Sequence, residues 1–311
     1  MKIISSCKTW FCLFLLAALA GCRTPPPPPR LDPEIEREVA TGRRAYAAGA
    51  VERAAESFAR ALQRARLIDD NAEIARDAYN LAACLAAQQK WADAAARLDE
   101  AQAACAAPAN PPAEFSMLRV KIMRGAGRTN DAIAMARAWL ADHPQRRTAA
   151  SRPAMQILLA EMLCDAGDCP GAAAELAQIP EKTARGLDNI TRADWQRTRA
   201  RIAAGAGSER DAGQAYDQAA EAYRRAGRYA AMAGCLAEAG RAYAAGGDKP
   251  AAVDRFYRAA RSLREQGRPE DARALINQAL PLAVNDSAAR QILENLAAAL
   301  AQNPPPAAAD E

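Results

Sequence analysis

A period of about forty residues runs along this 311-residue chain and constrains its fold more than any other feature. The position that opens each unit's packing core, where a small residue is expected, falls at 42, 82, 120, 160, 200 and 240. Between these positions the chain is rich in alanine, poor in aromatics and evenly sprinkled with charge, and runs of β-branched residues are few. Strands are therefore not expected. Paired helices need small residues where they cross closely, and glycine where the chain turns in the left-handed region. Repetition of such pairs gives a solenoid in which each unit buries its apolar face only against its neighbours.

The individual units carry a recognisable spacing. The first reads Gly42, Gly49, Ala54, Phe58 and Ala61-Leu62; the second reads Tyr79-Asn80-Leu81-Ala82, then Trp91, Ala94, Leu98 and Ala101. The third has Gly127, Ala132 and Ala136 and closes on Pro144, and the fourth has Ala160, Gly167, Ala172 and Leu176. The fifth has Ala200, Gly207, Ala212, Tyr216 and Ala219; the sixth has Gly240, Tyr243, Gly247, Ala252, Phe256 and Ala259. This order of small residue, glycine turn, alanine, aromatic and alanine resembles the tetratricopeptide repeat (TPR), whose usual unit is about 34 residues. The longer period implies longer helices or loops. A weaker seventh unit spans Arg268 to Gln302 and is interrupted at Pro281. The expected fold class is all-α: an α-solenoid of TPR-like helical hairpins.

Local signals agree with this reading. Asp32-Pro33 is a capping residue followed by a proline suited to the first helical position. Ser151 before Pro153 and Ser208 before Asp211 are predicted to start helices in the same way. Gly207, Gly227, Gly247 and Gly267 stand twenty apart, so the later helices should be long and their connections very tight. Ala107 to Pro112 reads as a loop between units.

The N-terminus is read apart from the fold. Lys2 and Lys8 precede an apolar run from Trp10 to Ala20, eleven residues long. That is too short for a membrane span, which takes about 20 apolar residues, but it suits the core of a signal peptide. The run ends in Leu19-Ala20-Gly21-Cys22, which resembles the lipobox of bacterial lipoprotein precursors. The resemblance implies cleavage before Cys22 and lipidation of its sulfur, a membrane anchor. Arg23 follows, not aspartate; by resemblance to enterobacterial sorting this implies the outer membrane, facing the periplasm. Pro25 to Pro29 would form a stiff polyproline spacer of roughly 15 Å. The expected organisation is a leader over 1–21, a lipidated linker over 22–30, a repeat domain over 31–302 and a disordered tail over 303–311.

Few chemistries fit this composition. The chain has 41 basic and 37 acidic residues, and two of the basic ones, Lys2 and Lys8, lie in the leader. This balance gives no electrostatic case for nucleic acid. The single histidine, His143, stands at a predicted helix end and suits capping better than metal binding. Gly205-Ala206-Gly207-Ser208 lacks the lysine of a phosphate loop, and no nucleophile elbow is present. No cofactor and no catalytic activity are expected.

Five cysteines follow Cys22: Cys84, Cys105, Cys164, Cys169 and Cys235. Cys164 and Cys169 flank the Gly167 turn and can reach each other, whereas Cys84 and Cys105 lie at different heights on one hairpin. The alternative is that all five serve as small core residues.

In TPR proteins the first helix of each hairpin lines the concave face, and the residue after the packing position projects into it. Those residues here are Arg43, Ala83, Lys121, Glu161, Arg201 and Arg241. Arg43, Lys121, Arg201 and Arg241 are basic, so the resemblance implies a groove that takes acidic segments or a C-terminal carboxylate of protein partners. No asparagine stands among these positions, as the family's carboxylate clamp requires. The expected function is a membrane-anchored interaction scaffold in cell-envelope assembly. The alternatives are a structural or self-associating envelope lipoprotein, and an enzyme with an unrecognised site.

Overall fold

The computed structural model describes residues 32–106, 112–142 and 151–302. The leader, Cys22, the proline spacer, His143 and the tail from 303 lie outside the described residues. Within them the chain forms helical hairpins packed in sequence order. Hairpin one pairs α1 (Pro33–Ala47) with α2 (Val51–Leu67), and hairpin two pairs α3 (Asn71–Ala87) with α4 (Trp91–Ala104). Hairpin three is α5 (Ala113–Gly125) and α6 (Thr129–Ala141); hairpin four is α7 (Ser151–Asp165) and α8 (Cys169–Ala177). A short helix, α9 (Glu181–Gly186), leads into hairpin five, α10 (Asn189–Gly205) and α11 (Glu209–Arg225). Hairpin six is α12 (Tyr229–Ala245) and α13 (Lys249–Glu265); hairpin seven is α14 (Pro269–Ala279) and α15 (Ser287–Gln302).

The long period has two sources. From α10 to α13 every helix has 17 residues, about 25 Å of helix, joined by three-residue turns. Gly207, Gly227 and Gly247 hold these turns, and Gly267 the next one into α14, at φ between 70° and 80°, as their spacing predicts. In hairpin four the second helix has only nine residues, and α9 supplies the rest of the unit. Ile179, Ala184 and Leu187 around α9 are buried. Arg192 closes its end by donating to the carbonyls of Arg185 (2.7 Å) and Leu187 (2.8 Å).

Some local expectations need correction. Asp32 caps α1, its carboxylate accepting from the amides of Glu34 and Ile35. Ser208 precedes α11 without making a side-chain cap, so the tight glycine turn positions that helix start unaided. Left-handed residues in hairpins one and two are not all glycine: Asp69 has φ 54° and Gln89 has φ 60°. Residue 120 is valine, not a small residue. It is fully buried, and so is Ala136 sixteen residues on, where other units carry a bulky side chain. The close approach is kept by exchanging large for small across the helix pair. The interruption at Pro281 is a single 3-10 turn, Leu280–Leu282.

Large and small residues alternate across each hairpin. Gly42 and Gly240 leave room for the rings of Phe58 and Phe256, which are almost fully buried. Ala82 and Leu98 are buried in one hydrophobic cluster, and Ala200 and Tyr216 in another. Through the middle of the array the first helices also touch one another, α3 with α5, α5 with α7, and α7 with α10. The second helices there do not pack on each other to that extent. The first helices therefore form the tighter, inner lining of the solenoid.

Candidate functional site

The inner lining carries a polar network that spans three hairpins. Glu161 on α7, only 5% exposed, receives Arg124 of α5 at 2.9 Å and also Arg197 of α10. One helical turn on, Asp165 receives Arg124 at 2.6 Å and Arg201 at 2.8 Å. Arg201 further donates to the main-chain carbonyl of Glu161 at 3.4 Å. Asp194 lies 3.2 Å from Arg197 and accepts the hydroxyl of Tyr223, which reaches it from α11. Arg197 stands over the Tyr223 ring, 5.9 Å from its centroid. Lys121 of α5 is exposed and its charge bears on Asp194. Four cations thus face three carboxylates, an excess of one positive charge.

Side-chain spacing explains the gathering. Lys121 and Arg124, Glu161 and Asp165, and Asp194, Arg197 and Arg201 are pairs or triples three or four residues apart, on one face of their helices. The superposed first helices then bring these faces edge to edge.

Burial raises the Asp194 pKa above the usual carboxylate range, and the charge of Glu161 adds to this against the pull of Arg197 and the Tyr223 hydroxyl. For Arg197 burial opposes the charge, but Glu161, Tyr223 and Asp194 outweigh it and hold the guanidinium protonated more firmly than usual. Burial and the neighbouring Asp194 keep the Tyr223 phenol neutral. The arginines keep partial access to solvent, with side-chain exposures of 30% for Arg124, 36% for Arg197 and 29% for Arg201. They can accordingly exchange an internal carboxylate for one brought by a ligand.

The residues expected to line the groove do not all come together. Lys121, Glu161 and Arg201 join the central network, with Glu161 as its hub. Arg43 is exposed on α1 near Asp77 of α3, which is fully buried and held by Arg76 at 2.9 and 3.2 Å. Arg241 pairs with Glu238 at 2.6 Å and donates to Gln278 at 3.3 Å, away from the network. Ala83 is half-buried. Arg201 and Arg241 are thus already matched by carboxylates, so the inner face is a lattice of paired charges with one cation in excess rather than a row of free cations. Arg124, Asp165, Asp194, Arg197 and Tyr223 were not expected from the position after each packing residue alone. Three or four residues forward of Lys121 and Glu161 stand Arg124 and Asp165, and four back from Arg201 stands Arg197, whereas Asp194 lies seven back.

Beside the network, Cys164 and Cys169 stand as free thiols on either side of the Gly167 turn. Cys84 and Cys235 are buried core residues. Tyr79 stacks on Phe115 with centroids 5.0 Å apart, a continuation of the inner lining toward hairpin two. Of the surface cavities, that of about 790 Å³ at the C-terminal end is lined by Val253, Tyr257, Pro281, Leu282, Val284 and Ile292. Among the described residues no cluster of histidine, cysteine and carboxylates could hold a metal ion, and no helix is long and apolar enough to cross a membrane.

The sequence matches no family model and no curated protein. Solved structures resemble the fold. A Rap protein complexed with the Competence and Sporulation Factor superposes with a TM-score of 0.60 at 11% identity, over 86% of this chain and 75% of that one. A tetratricopeptide repeat protein from Parabacteroides merdae has a TM-score of 0.45 at 13% identity, over 87% of this chain and 99% of that one. The first of these, with the hairpin order and the packing above, establishes an all-α solenoid of TPR-like hairpins with a repeat of about forty residues.

Proposed function

We propose that this chain is a protein-binding scaffold that holds a segment of a partner along its inner face, centred on Arg124, Glu161, Arg197 and Arg201. The observation that carries the reading is the network itself. Charged groups in a partly desolvated groove cost more than apolar packing of the same volume would, so the lattice is poorly explained as a means of stability. Its excess cation favours a ligand that brings a carboxylate, either an acidic side chain or a chain terminus. The Rap neighbour, which is complexed with a Competence and Sporulation Factor, is an example of a like fold that holds another molecule. The network offers no nucleophile–base pair or metal cluster, and a binding role without catalysis is the reading it supports best.

The leader supports attachment to the cell envelope through lipid on Cys22, in the outer membrane facing the periplasm, with envelope assembly as the process served. Mass spectrometry of the mature N-terminal peptide tests the anchor: a diacylglyceryl mass on Cys22, lost in Cys22→Ser, supports it, and an unmodified Cys22 removes it. The scaffold is tested by affinity capture after cross-linking in cells, with a tag at the C-terminus and Cys22 retained. A variant carrying glutamate at Lys121, Arg197 and Arg201 runs beside the native chain. One defined partner, lost from the variant, is expected. Equal capture by both removes the groove, and capture of the chain alone favours a self-associating envelope lipoprotein.

A further inference from the structure

Cys164 ends α7 and Cys169 opens α8, with the Gly167 turn between them at φ 81°. The turn is fixed by the Gly167 amide donating to the Cys164 carbonyl (3.1 Å) and the Asp168 amide to that of Leu163 (2.8 Å). The Asp168 carboxylate accepts from the Gly171 amide at 2.8 Å. Across this closed turn the two thiols lie near enough for Cys169 to act on Cys164. Cys169 Sγ also presses on Gly205 of α10, where a methyl group would fall 2.6 Å from the sulfur. Cys164 adjoins Asp165, and the Arg201 charge acts on its thiol. The pair therefore lies where α7, α8 and α10 meet, directly beside the Asp165–Arg201 bridge. It closes the hairpin whose second helix is shortest, nine residues against 13 to 17 in the others.

The geometry points to a redox clasp: Cys164 and Cys169 close to a disulfide that stiffens hairpin four and, through it, the floor of the inner-face network. The oxidant is a disulfide, either a small one or that of a thiol–disulfide oxidoreductase. The Cys169 thiolate attacks one sulfur of that disulfide and forms a mixed disulfide, releasing one thiolate. The Cys164 sulfur then displaces the second thiolate and gives up its proton to solvent. The two cysteines lose two electrons and the oxidant is reduced to two thiols. Burial pushes the Cys164 thiol up to about 11, which suits it to the second step better than the first. The bridge stands on the cysteine geometry alone; its consequence for a ligand rests on the scaffold reading.

The test uses the purified full chain, equilibrated in mixtures of reduced and oxidised glutathione, quenched in acid, alkylated and mapped by peptide mass spectrometry. Loss of alkylation at Cys164 and Cys169 together, with a linked peptide two hydrogens lighter, is expected, while Cys84 and Cys235 stay unlinked. Labelling of both cysteines across the whole series overturns the bridge, as does glutathione carried singly without closure. Amide hydrogen exchange of the bridged and reduced forms tests the consequence without a ligand. Exchange in α7 and α8 is expected to slow by about tenfold on bridging, with α2 and α13 unchanged. Cys169→Ser removes both effects. A bridge that leaves exchange in α7 and α8 unaltered refutes the stiffening. A bridge with slowed exchange but no captured partner leaves the clasp standing and removes only the scaffold.

Discussion

Gly42 and Phe58 stand sixteen residues apart and press on each other: a methyl group on Gly42 would lie 2.9 Å from the Cε1 and Cζ atoms of the ring. Gly240 meets Phe256 at the same distance and the same separation. In both hairpins the aromatic ring fills the space that the missing side chain leaves, and this sets how closely the two helices cross.

Gly42→Ala and Gly240→Ala are therefore expected to destabilise the chain by about 1–3 kcal/mol, as overpacked cores do. Gly234 is the control. It too lies within a helix, but a Cβ there meets open space, and Gly234→Ala should stabilise by roughly 0.5–1 kcal/mol through helix propensity. Urea unfolding of the three variants measures the contrast. Equal effects at Gly42 and Gly234 would show that the ring contact does not set the crossing.

Glu161→Gln removes the charge that Arg124 and Arg197 share. A fully buried pair broken in this way costs several kcal/mol, but both arginines retain about a third of their exposure. A loss of about 1–2 kcal/mol is expected after that discount. Glu238→Gln breaks only the exposed pair with Arg241 and should cost at most about 0.5 kcal/mol. Chemical denaturation of both variants in low and high salt checks the ranking, which would be undone by equal losses at the two sites.

Much of the fold is legible in the sequence, and less of the site. Glycines twenty apart give helix length and turn position together because only glycine enters the left-handed turn freely. The signal fails where Asp69 and Gln89 take that conformation, and where Val120 and Ala136 exchange size. Helix α9 is hidden because its buried residues, Ala184 and Leu187, are too few to show a period. The register of the first helices leads to Lys121, Glu161 and Arg201 of the network, but equally to Arg43 and Arg241, which lie away from it. The links from Arg124 to Glu161 and from Glu161 to Arg197 join residues 37 and 36 apart, set by how hairpins stack, which no local pattern encodes.

Asp194 makes stability depend on pH. Its native pKa is raised, by burial first and by the Glu161 charge second, so between its ordinary value and the raised one the folded chain binds more protons than the unfolded chain. The contribution of this group is thus most favourable at low pH and is lost as pH rises through the native value. Asp194→Asn removes that dependence. Subtracting its stability from that of the native chain, from about pH 3 to pH 7, should leave a difference that falls with rising pH. A flat or rising difference would mean that Arg197 and Tyr223 overcome the burial.

Asp69 and Gln89 take left-handed backbone at φ 54° and 60° without being glycine, and each ends a turn that glycine serves elsewhere in the array. The left-handed conformation costs an ordinary residue roughly 1–2 kcal/mol, and aspartate less, because its short polar side chain suits that region. Gln89→Gly is therefore expected to stabilise the chain by up to about 1 kcal/mol, with a smaller gain for Asp69→Gly. Part of the relief is offset by the greater freedom glycine gives the unfolded chain. The reverse change, Gly227→Ala at φ 70°, should destabilise by about 1 kcal/mol or more for the same reason. Thermal unfolding of the three variants reads all of these, and a gain at Gln89 no larger than that at Asp69 would show that side-chain contacts, not backbone conformation, set the cost of these turns.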